Sequence, residues 1–343
     1  KLIRDRQRRR NMAVMFITHD FGVVADIADR IVVLQHGKVV EQGSADDVLR
    51  RPQHTYTRAL LAAVPSLQPP ARASLSDQHK VVEVIGLDKT YVSGGGWFQA
   101  KRRVQAANNV SFDIHKGETL GLVGESGSGK SSVARLVVRL LDADRGSVRL
   151  GNTDLTAIEG KALREQRRRI QMVFQDPFAS LNPRRKVGHI ITDGPIAHGV
   201  DPDVARRRAH DLLSLVGLNP SAMERFPHEF SGGQRQRIGI ARALALEPDV
   251  LVADEAVSAL DVSVQAQVLN LLEDLKTRLG LSMLFITHDL RVAAQICDRI
   301  AVMQRGTIVE LKAASALFAA PEHPYTRELL AAVPGQISPS RAA

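Results

Sequence analysis

Short apolar runs alternate with longer amphipathic segments through most of this chain. Residues 118–123 and 250–255 each contain the apolar run of a short buried strand. Residues 131–141 instead carry apolar side chains at 133, 136, 137, 140 and 141, which is the spacing of a helical stripe. The alternation predicts an α/β fold around a parallel sheet.

Two regions interrupt this alternation. Residues from about 176 to 245 are polar and have helical patterning, which predicts a separate inserted helical subdomain. Residues 299–303 and 307–310 flank Gln304-Arg305-Gly306, which predicts a hairpin.

An internal repeat organises the whole chain. Residues 1–65 align without a gap on residues 270–334 at a constant offset of 269, so that the strand expected at 13–17 corresponds to a later apolar run. An offset this long indicates domain duplication, since solenoid repeats are much shorter. The first copy starts within what the second copy predicts to be a helix, and we therefore expect an N-terminally truncated sequence. Its expected parts are a C-terminal remnant of a first domain (1–65), a linker (66–80), a complete second domain (81–334) and a tail (335–343).

The strongest chemical signal is a complete G-x-x-x-x-G-K-[ST] loop between a predicted strand and a predicted helix. Its glycines let backbone N–H groups surround phosphate oxygens, and the helix directs its positive end at the same anion. We expect Lys130 to reach the β- and γ-phosphates and Ser131 to bind Mg²⁺. The expected nucleotide-binding residues are Gly124, Glu125, Ser126, Gly127, Ser128, Gly129, Lys130, Ser131 and Ser132.

Two further groups complete the expected chemistry. Asp254 and Glu255 end a buried strand, where the first carboxylate can hold Mg²⁺ and the second can act as general base toward water. The run Ser231-Gly232-Gly233-Gln234 precedes a helix expected over about 234–246 and forms a second anion cradle. The residues alone do not explain why one domain would have two anion-binding loops, at 124–131 and 231–234, but only one general base, Glu255.

The order of these motifs resembles that of ATP-binding cassette (ABC) ATPases. The resemblance implies a P-loop NTPase fold, with a RecA-like core, an antiparallel β subdomain and an inserted helical subdomain. It implies that the signature loop at 231–234 closes over ATP held by an opposite cassette, and that Ser258 and Asp261 form the D-loop. It further implies that Gln175 links the Mg²⁺ site to the helical subdomain and that His288 contacts the γ-phosphate.

The same resemblance adds two expectations beyond these motifs. His19, which the repeat aligns with His288, is the expected switch histidine of the remnant. Tyr91 is the candidate for stacking on adenine, although Trp97 and Phe98 lie close by in the sequence. The expected catalytic residues are Glu255, His288, Gln175 and Lys130.

A finer resemblance rests on three runs, at 174–184, 254–261 and 323–327. The last of them reads His-Pro-Tyr-Thr-Arg. Together they resemble the dipeptide, oligopeptide and nickel importer ATPases, and the duplication is similar to that of fused two-cassette glutathione importers. This implies ATP and Mg²⁺ as cofactors and import of small peptides from the cytoplasmic face of the inner membrane. The implied partners are two transmembrane permease subunits, an extracytoplasmic substrate-binding protein and a second cassette.

The sequence departs from that group at two points. Neither copy has the cysteine cluster that follows the tail in several relatives, and we therefore expect no iron–sulfur cluster. The second copy has Lys312 where the first has Gly43, which puts a local turn in doubt.

Two rival functions stay open at this point. The net charge of +9 would suit a twin-cassette ATPase acting on ribosomes or DNA. Only 4% of residues are aromatic, however, so that the chain has few side chains that could stack on nucleic-acid bases. The expected linker is short and contains Pro69-Pro70, unlike the long charged helix of such factors, and we expect no nucleic-acid partner. The other rival is an inactive remnant, although the second copy keeps every catalytic group.

Overall fold

The computed structural model describes residues 6–7, 9–10, 12–18, 20–72, 79–94, 102–176 and 178–334. The chain divides into two compact units. The first comprises 1–65, 261–266 and 328–343, and the second comprises 66–260 and 267–327. The second unit therefore contains nearly all of the expected complete domain together with the linker.

The strands are β1 (Arg30–Gln35), β2 (Lys38–Ser44), β3 (Lys80–Ser93), β4 (Arg102–His115), β5 (Thr119–Val123), β6 (Arg145–Leu150), β7 (Thr153–Asp154), β8 (Ile170–Val173), β9 (Val250–Asp254), β10 (Ser282–Thr287), β11 (Arg299–Gln304) and β12 (Thr307–Ala313). The α-helices are α1 (Phe21–Ile27), α2 (Ala45–Arg50), α3 (Thr55–Ala62), α4 (Lys130–Val137), α5 (Gly160–Arg169), α6 (Val187–Ala197), α7 (Pro202–Leu215), α8 (Gly232–Leu244), α9 (Val262–Leu279), α10 (Leu290–Ile296), α11 (Ala314–Ala319) and α12 (Pro324–Ala331). Two short 3₁₀ helices cover Pro220–Glu224 and Pro227–Glu229.

A six-stranded sheet of order β12-β11-β5-β10-β9-β8 forms the centre of the second unit. The five strands from β11 to β8 are parallel, and β12 is antiparallel at one edge. Every residue of β5, β9 and β10 is buried, as expected for strands covered on both faces. The predicted parallel sheet and the predicted hairpin of β11 and β12 are both confirmed.

A second sheet of order β4-β3-β6-β7 is entirely antiparallel. Its apolar face shares one core with the central sheet and α4, in which Val84 and Ile114 pack in the same cluster as Leu136 and Ile286. This is the antiparallel β subdomain that the family resemblance implies.

Helices α6, α7 and α8 pack together as the predicted helical subdomain. Two helix boundaries differ from those expected. Helix α4 ends at Val137. Val138 no longer has helical backbone angles, and Arg139 lies in the left-handed region with a φ of 56°, which a right-handed helix cannot include. Helix α8 begins at Gly232, two residues early, because Ser231 caps it.

In the first unit, β1, β2 and α2 surround a small core of Ile31, Val33 and Val48. The strand predicted at 13–17 is wrong, since these residues have no regular structure. Their counterpart β10 lies between β5 and β9, whereas the described part of the first unit offers 13–17 no strand partner. The apolar side chains of this segment are open to solvent, with Met15 90% and Ile17 86% exposed.

The start of the linker is bound to the second unit. The side-chain amide of Gln295 donates to the carbonyl oxygens of Ser66 and Gln68 at 2.8 and 3.2 Å. Arg72 lies 2.7 Å from the Glu273 carboxylate and 3.3 Å from that of Asp298. Residues 66–72 are therefore held in place by hydrogen bonds and by half-buried ion pairs.

A glutamate at the end of the repeat holds the following helix in both copies. Glu310 accepts the backbone N–H groups of Glu322 and His323 at 2.9 and 3.0 Å. In the first copy, Glu41 accepts those of Gln53 and His54 at 2.7 and 3.2 Å.

The doubtful turn of the second copy does not exist. Gly43 lies in β2 and Lys312 in β12, so that both positions belong to strands. Strand backbone needs no glycine, and the substitution leaves the hairpin unchanged.

We expect Glu310→Gln to lower the free energy of unfolding by about 1–3 kcal/mol at pH 6, because an amide nitrogen would then face a backbone donor. Burial alone would raise the pKa of Glu310, but hydrogen bonds from Glu322, His323 and Lys312 lower it to about 2. This stabilisation is complete above the ordinary pKa of 4.5 and is lost as the pH falls toward 2. Urea unfolding from pH 6 to pH 2 should therefore show the difference from wild type shrinking.

The exposed Glu328→Gln on α12 is the control for that measurement. A difference between wild type and Glu310→Gln that is constant across this pH range would contradict the assignment of the low pKa.

Candidate nucleotide-binding site

The phosphate-loop residues lie between the end of β5 and the start of α4, as expected. Two glycines are required there by close backbone approach. A Cβ on Gly124 would lie 2.2 Å from the Met303 carbonyl oxygen, and one on Gly129 would lie 2.0 Å from that of Ala106. Both also have positive φ, 150° and 110°. The loop is thus pressed onto β4 and β11, with Glu125, Ser126 and Gly127 exposed and Ser128 buried.

Lys130 is buried beneath this loop and bonds to it. Its ammonium donates to the carbonyl oxygens of Gly124 and Glu125 at 2.7 and 2.8 Å and lies 3.5 Å from Ser128 Oγ. Burial lowers the pKa of Lys130, and nearby carboxylates, Glu255 foremost, oppose that effect. The ammonium therefore lies at the centre of the loop, where a phosphate oxygen could replace the two carbonyls.

Ser131 and Asp254 meet at the carboxyl edge of the sheet. Ser131 Oγ donates to Asp254 Oδ1 at 3.0 Å. Burial raises the pKa of Asp254, and the hydrogen bond from Ser131 counteracts this rise. A hydroxyl and a carboxylate are the hard oxygen ligands that Mg²⁺ prefers, and this pair therefore fits a magnesium ion.

Glu255, Gln175 and His288 come together beside that pair. Gln175 Nε2 donates to Glu255 Oε2 at 2.7 Å, and His288 Nδ1 lies 3.3 Å from Glu255 Oε1. The Glu255 backbone N–H donates to the Ile286 carbonyl oxygen at 2.9 Å, and the Glu255 φ is 47°. Because β8, β9 and β10 are parallel neighbours, their carboxyl ends bring these three side chains to one edge of the sheet.

The expected signature loop forms a capping box at the start of α8. Ser231 Oγ accepts the Gln234 N–H at 3.3 Å, and the Gln234 side chain accepts the Ser231 N–H at 3.0 Å. Ser231 and Gln234 are exposed, Gly232 is partly exposed and Gly233 is buried. Within the described chain, no hydrogen bond joins these residues to the phosphate loop.

The expected D-loop residues have local partners. Ser258 Oγ donates to the Glu255 carbonyl oxygen at 2.9 Å. Asp261 accepts the Val264 N–H at 3.1 Å and the Ser263 hydroxyl at 2.8 Å, which caps α9.

The structure describes Tyr91, the candidate for stacking on adenine, but not His19, the expected switch histidine of the remnant. Tyr91 is 38% exposed on β3, and its hydroxyl donates to Ser132 Oγ at 3.4 Å, which places its ring beside the phosphate loop. His19, Trp97 and Phe98 lie outside the described residues.

One contact of the phosphate loop was not anticipated. The Glu125 N–H donates to the hydroxyl of Tyr325 at 3.2 Å. Tyr325 belongs to the His-Pro-Tyr-Thr-Arg run, 200 residues further along the chain. The sequence distinguishes this run only by its resemblance to the peptide importers, and no spacing in the sequence links it to the loop.

Comparison with known families agrees with this geometry. The model of the ABC transporter family matches residues 107–258, and that of the oligopeptide/dipeptide transporter C-terminal region matches 40–95 and 309–342. Residues 107–258 thus resemble the ABC transporter ATPases. The family expected from the sequence is thereby confirmed.

Two of the similar curated proteins are glutathione import ATP-binding proteins. The chain is 47% identical over 360 residues to the glutathione import ATP-binding protein GsiA of Salmonella paratyphi A, covering 97% of this chain and 58% of that protein. It is 46% identical to the protein of the same name from Pectobacterium atrosepticum, with the same coverage. The chain thus spans less than two thirds of the length of these relatives.

Solved ABC cassettes share the fold. A dimeric post-hydrolysis structure of the cassette MJ0796 bound to ADP and Pi matches with a TM-score of 0.61 and 29% identity, covering 68% of this chain and 98% of that one. A second dimeric MJ0796 structure matches with a TM-score of 0.60 and 27% identity over the same shares. The predicted P-loop NTPase fold is confirmed.

Proposed function

We propose that residues 81–334 form an ATP-hydrolysing cassette and that the protein couples this hydrolysis to the import of small peptides of the glutathione type. Residues 1–65 would be the end of a first cassette, which agrees with a family match that covers the tail of both copies. The 97% coverage by glutathione importers supports the choice of substrate class.

The observation that carries the proposed hydrolysis is the position of Glu255. Its carboxylate is held by Gln175 and His288, one residue beyond Asp254 and beside the phosphate loop. A carboxylate fixed by two neighbours and only partly exposed is suited to orient a water molecule.

The chemistry follows from these positions. ATP phosphates would occupy the loop, and Lys130 would exchange its two carbonyl partners for phosphate oxygens. Water would attack the γ-phosphorus, the bond to the ADP oxygen would break, and Glu255 would take the proton of the water. Ser131, Asp254 and Gln175 would hold Mg²⁺, which neutralises phosphate charge when bound.

Turnover on this proposal requires a second cassette. The capping box leaves Ser231 and Gln234 exposed at the N-terminus of α8, where the helix dipole favours an anion. We infer that this signature loop covers ATP bound to a partner cassette, with Ser258 and Asp261 at the same interface. The dimeric cassettes among the structural matches support this arrangement.

Closure of the two cassettes would move the helical subdomains against two permease subunits, with an extracytoplasmic binding protein delivering the peptide. No described helix is long and apolar enough to cross a bilayer. On this proposal the chain acts as a peripheral subunit at the cytoplasmic membrane face. A ribosome or DNA partner is disfavoured, because the oligopeptide transporter region recurs in both copies.

Uptake of radiolabelled glutathione tests the transport proposal. Cells whose gene carries Lys130→Ala should lose most ATP-dependent uptake, whereas cells carrying the exposed Lys161→Ala should keep it. Normal glutathione uptake in the Lys130→Ala cells, with the variant protein present at wild-type abundance, would contradict the proposed substrate.

A further inference from the structure

Tyr325 is held rigidly beside the phosphate loop. It lies at the start of α12 with 5% of its surface exposed, and its backbone N–H donates to His323 Nδ1 at 3.2 Å. The buried Glu310 carboxylate fixes the two residues that precede α12 through their backbone N–H groups. The backbone that carries the ring is therefore fixed by contacts outside the loop that its hydroxyl touches.

The hydroxyl of Tyr325 and the ammonium of Lys130 hold opposite ends of one peptide group. This group joins Gly124 to Glu125, and its N–H donates to the Tyr325 hydroxyl at 3.2 Å. Its carbonyl oxygen accepts from Lys130 at 2.7 Å. Gly124 has a φ of 150°, a conformation that side-chain-bearing residues avoid, and these two contacts hold the peptide that follows it at both ends.

We propose that Tyr325 is a positioning residue for ATP binding, which keeps the Gly124–Glu125 peptide oriented when phosphate draws Lys130 away from its carbonyl. Without the hydroxyl, the peptide N–H loses its hydrogen bond at that moment, and more of the ordering of the loop falls to the nucleotide itself. The inference rests on the proposed nucleotide site and deepens it, by giving the His-Pro-Tyr-Thr-Arg run a role in ATP affinity.

The repeat supplies a matched control. Tyr56 corresponds to Tyr325, and its N–H donates to His54 Nδ1 at the same 3.2 Å. Glu41 holds this helix as Glu310 holds the other. The described part of the first unit contains no phosphate loop, and only Tyr325 has the Glu125 contact.

The test compares Tyr325→Phe and Tyr56→Phe with the wild-type chain. Binding of a fluorescent ATP analogue with Mg²⁺ gives Kd, steady-state hydrolysis gives KM and kcat, and circular dichroism in urea gives stability. Loss of one hydrogen bond to a loop N–H predicts a Kd and KM about fivefold higher for Tyr325→Phe. We expect its kcat and unfolding midpoint to stay near those of wild type, and Tyr56→Phe to match wild type throughout.

Three outcomes would overturn the inference or its basis. An unchanged Kd for Tyr325→Phe, with wild type binding nucleotide, would overturn the role of Tyr325 alone. A common loss of stability and affinity in both variants would assign the tyrosines to folding instead. A wild-type chain that binds no nucleotide would overturn the proposed nucleotide site itself.

Discussion

Replacement of Lys130 by alanine should weaken ATP binding by roughly 10²–10⁴-fold, since charge-assisted bonds to two phosphate groups are lost at about 1.5–3 kcal/mol each. Lys130 is buried, and among the described residues its ammonium bonds to the Gly124 and Glu125 carbonyls and lies near Ser128 Oγ, where phosphate would replace them. The variant should stay folded, because its loop glycines keep their contacts with β4 and β11. Titration with a fluorescent ATP analogue and Mg²⁺ measures the effect.

Lys161→Ala is the matched control, as Lys161 is an exposed lysine on α5. It should bind the analogue as the wild-type chain does. An affinity of Lys130→Ala within threefold of the control would mean that nucleotide does not occupy the loop.

Glu255→Gln should lower kcat for ATP hydrolysis by roughly 10²–10⁴-fold while leaving ATP affinity within a few-fold of wild type. The amide has nearly the shape of the carboxylate and can stay between Gln175 and His288, but it cannot take a proton from water. Binding should persist, because Lys130 and the loop N–H groups are unchanged. The variant with MgATP should also accumulate as a dimer, which sedimentation velocity can detect.

The exposed Glu159→Gln at the N-terminus of α5 serves as control and should hydrolyse ATP normally. If Glu255→Gln kept a wild-type kcat, Glu255 would not be the general base. A parallel loss of affinity and rate would point to damage of the loop instead.

The parts of the site that sequence predicted are those that follow a strand directly. The loop at 124–131, the Asp254–Glu255 pair and His288 each continue a buried apolar run, and parallel strands bring such ends to one edge of the sheet. Local pattern together with this topological rule was sufficient to place them near one another. Their roles in binding and hydrolysis stay predictions until the variants are measured.

Contacts between distant segments could not be predicted in this way. The bond from Glu125 to Tyr325 spans 200 residues and that from Arg72 to Asp298 spans 226, and neither leaves a periodic trace in the sequence. The strand predicted at 13–17 was wrong for a related reason, because an apolar run becomes a strand only where neighbouring strands pair with it. In β10, the same pattern has two such neighbours.

The rate of MgATP hydrolysis as a function of protein concentration tests the central claim most directly. With a functional cassette that completes its site against a second copy, activity per chain should rise with concentration and be absent from Lys130→Ala at every concentration. Activity that Lys130→Ala retains in full, or activity per chain that does not change with concentration, would contradict a catalytic site shared between two cassettes.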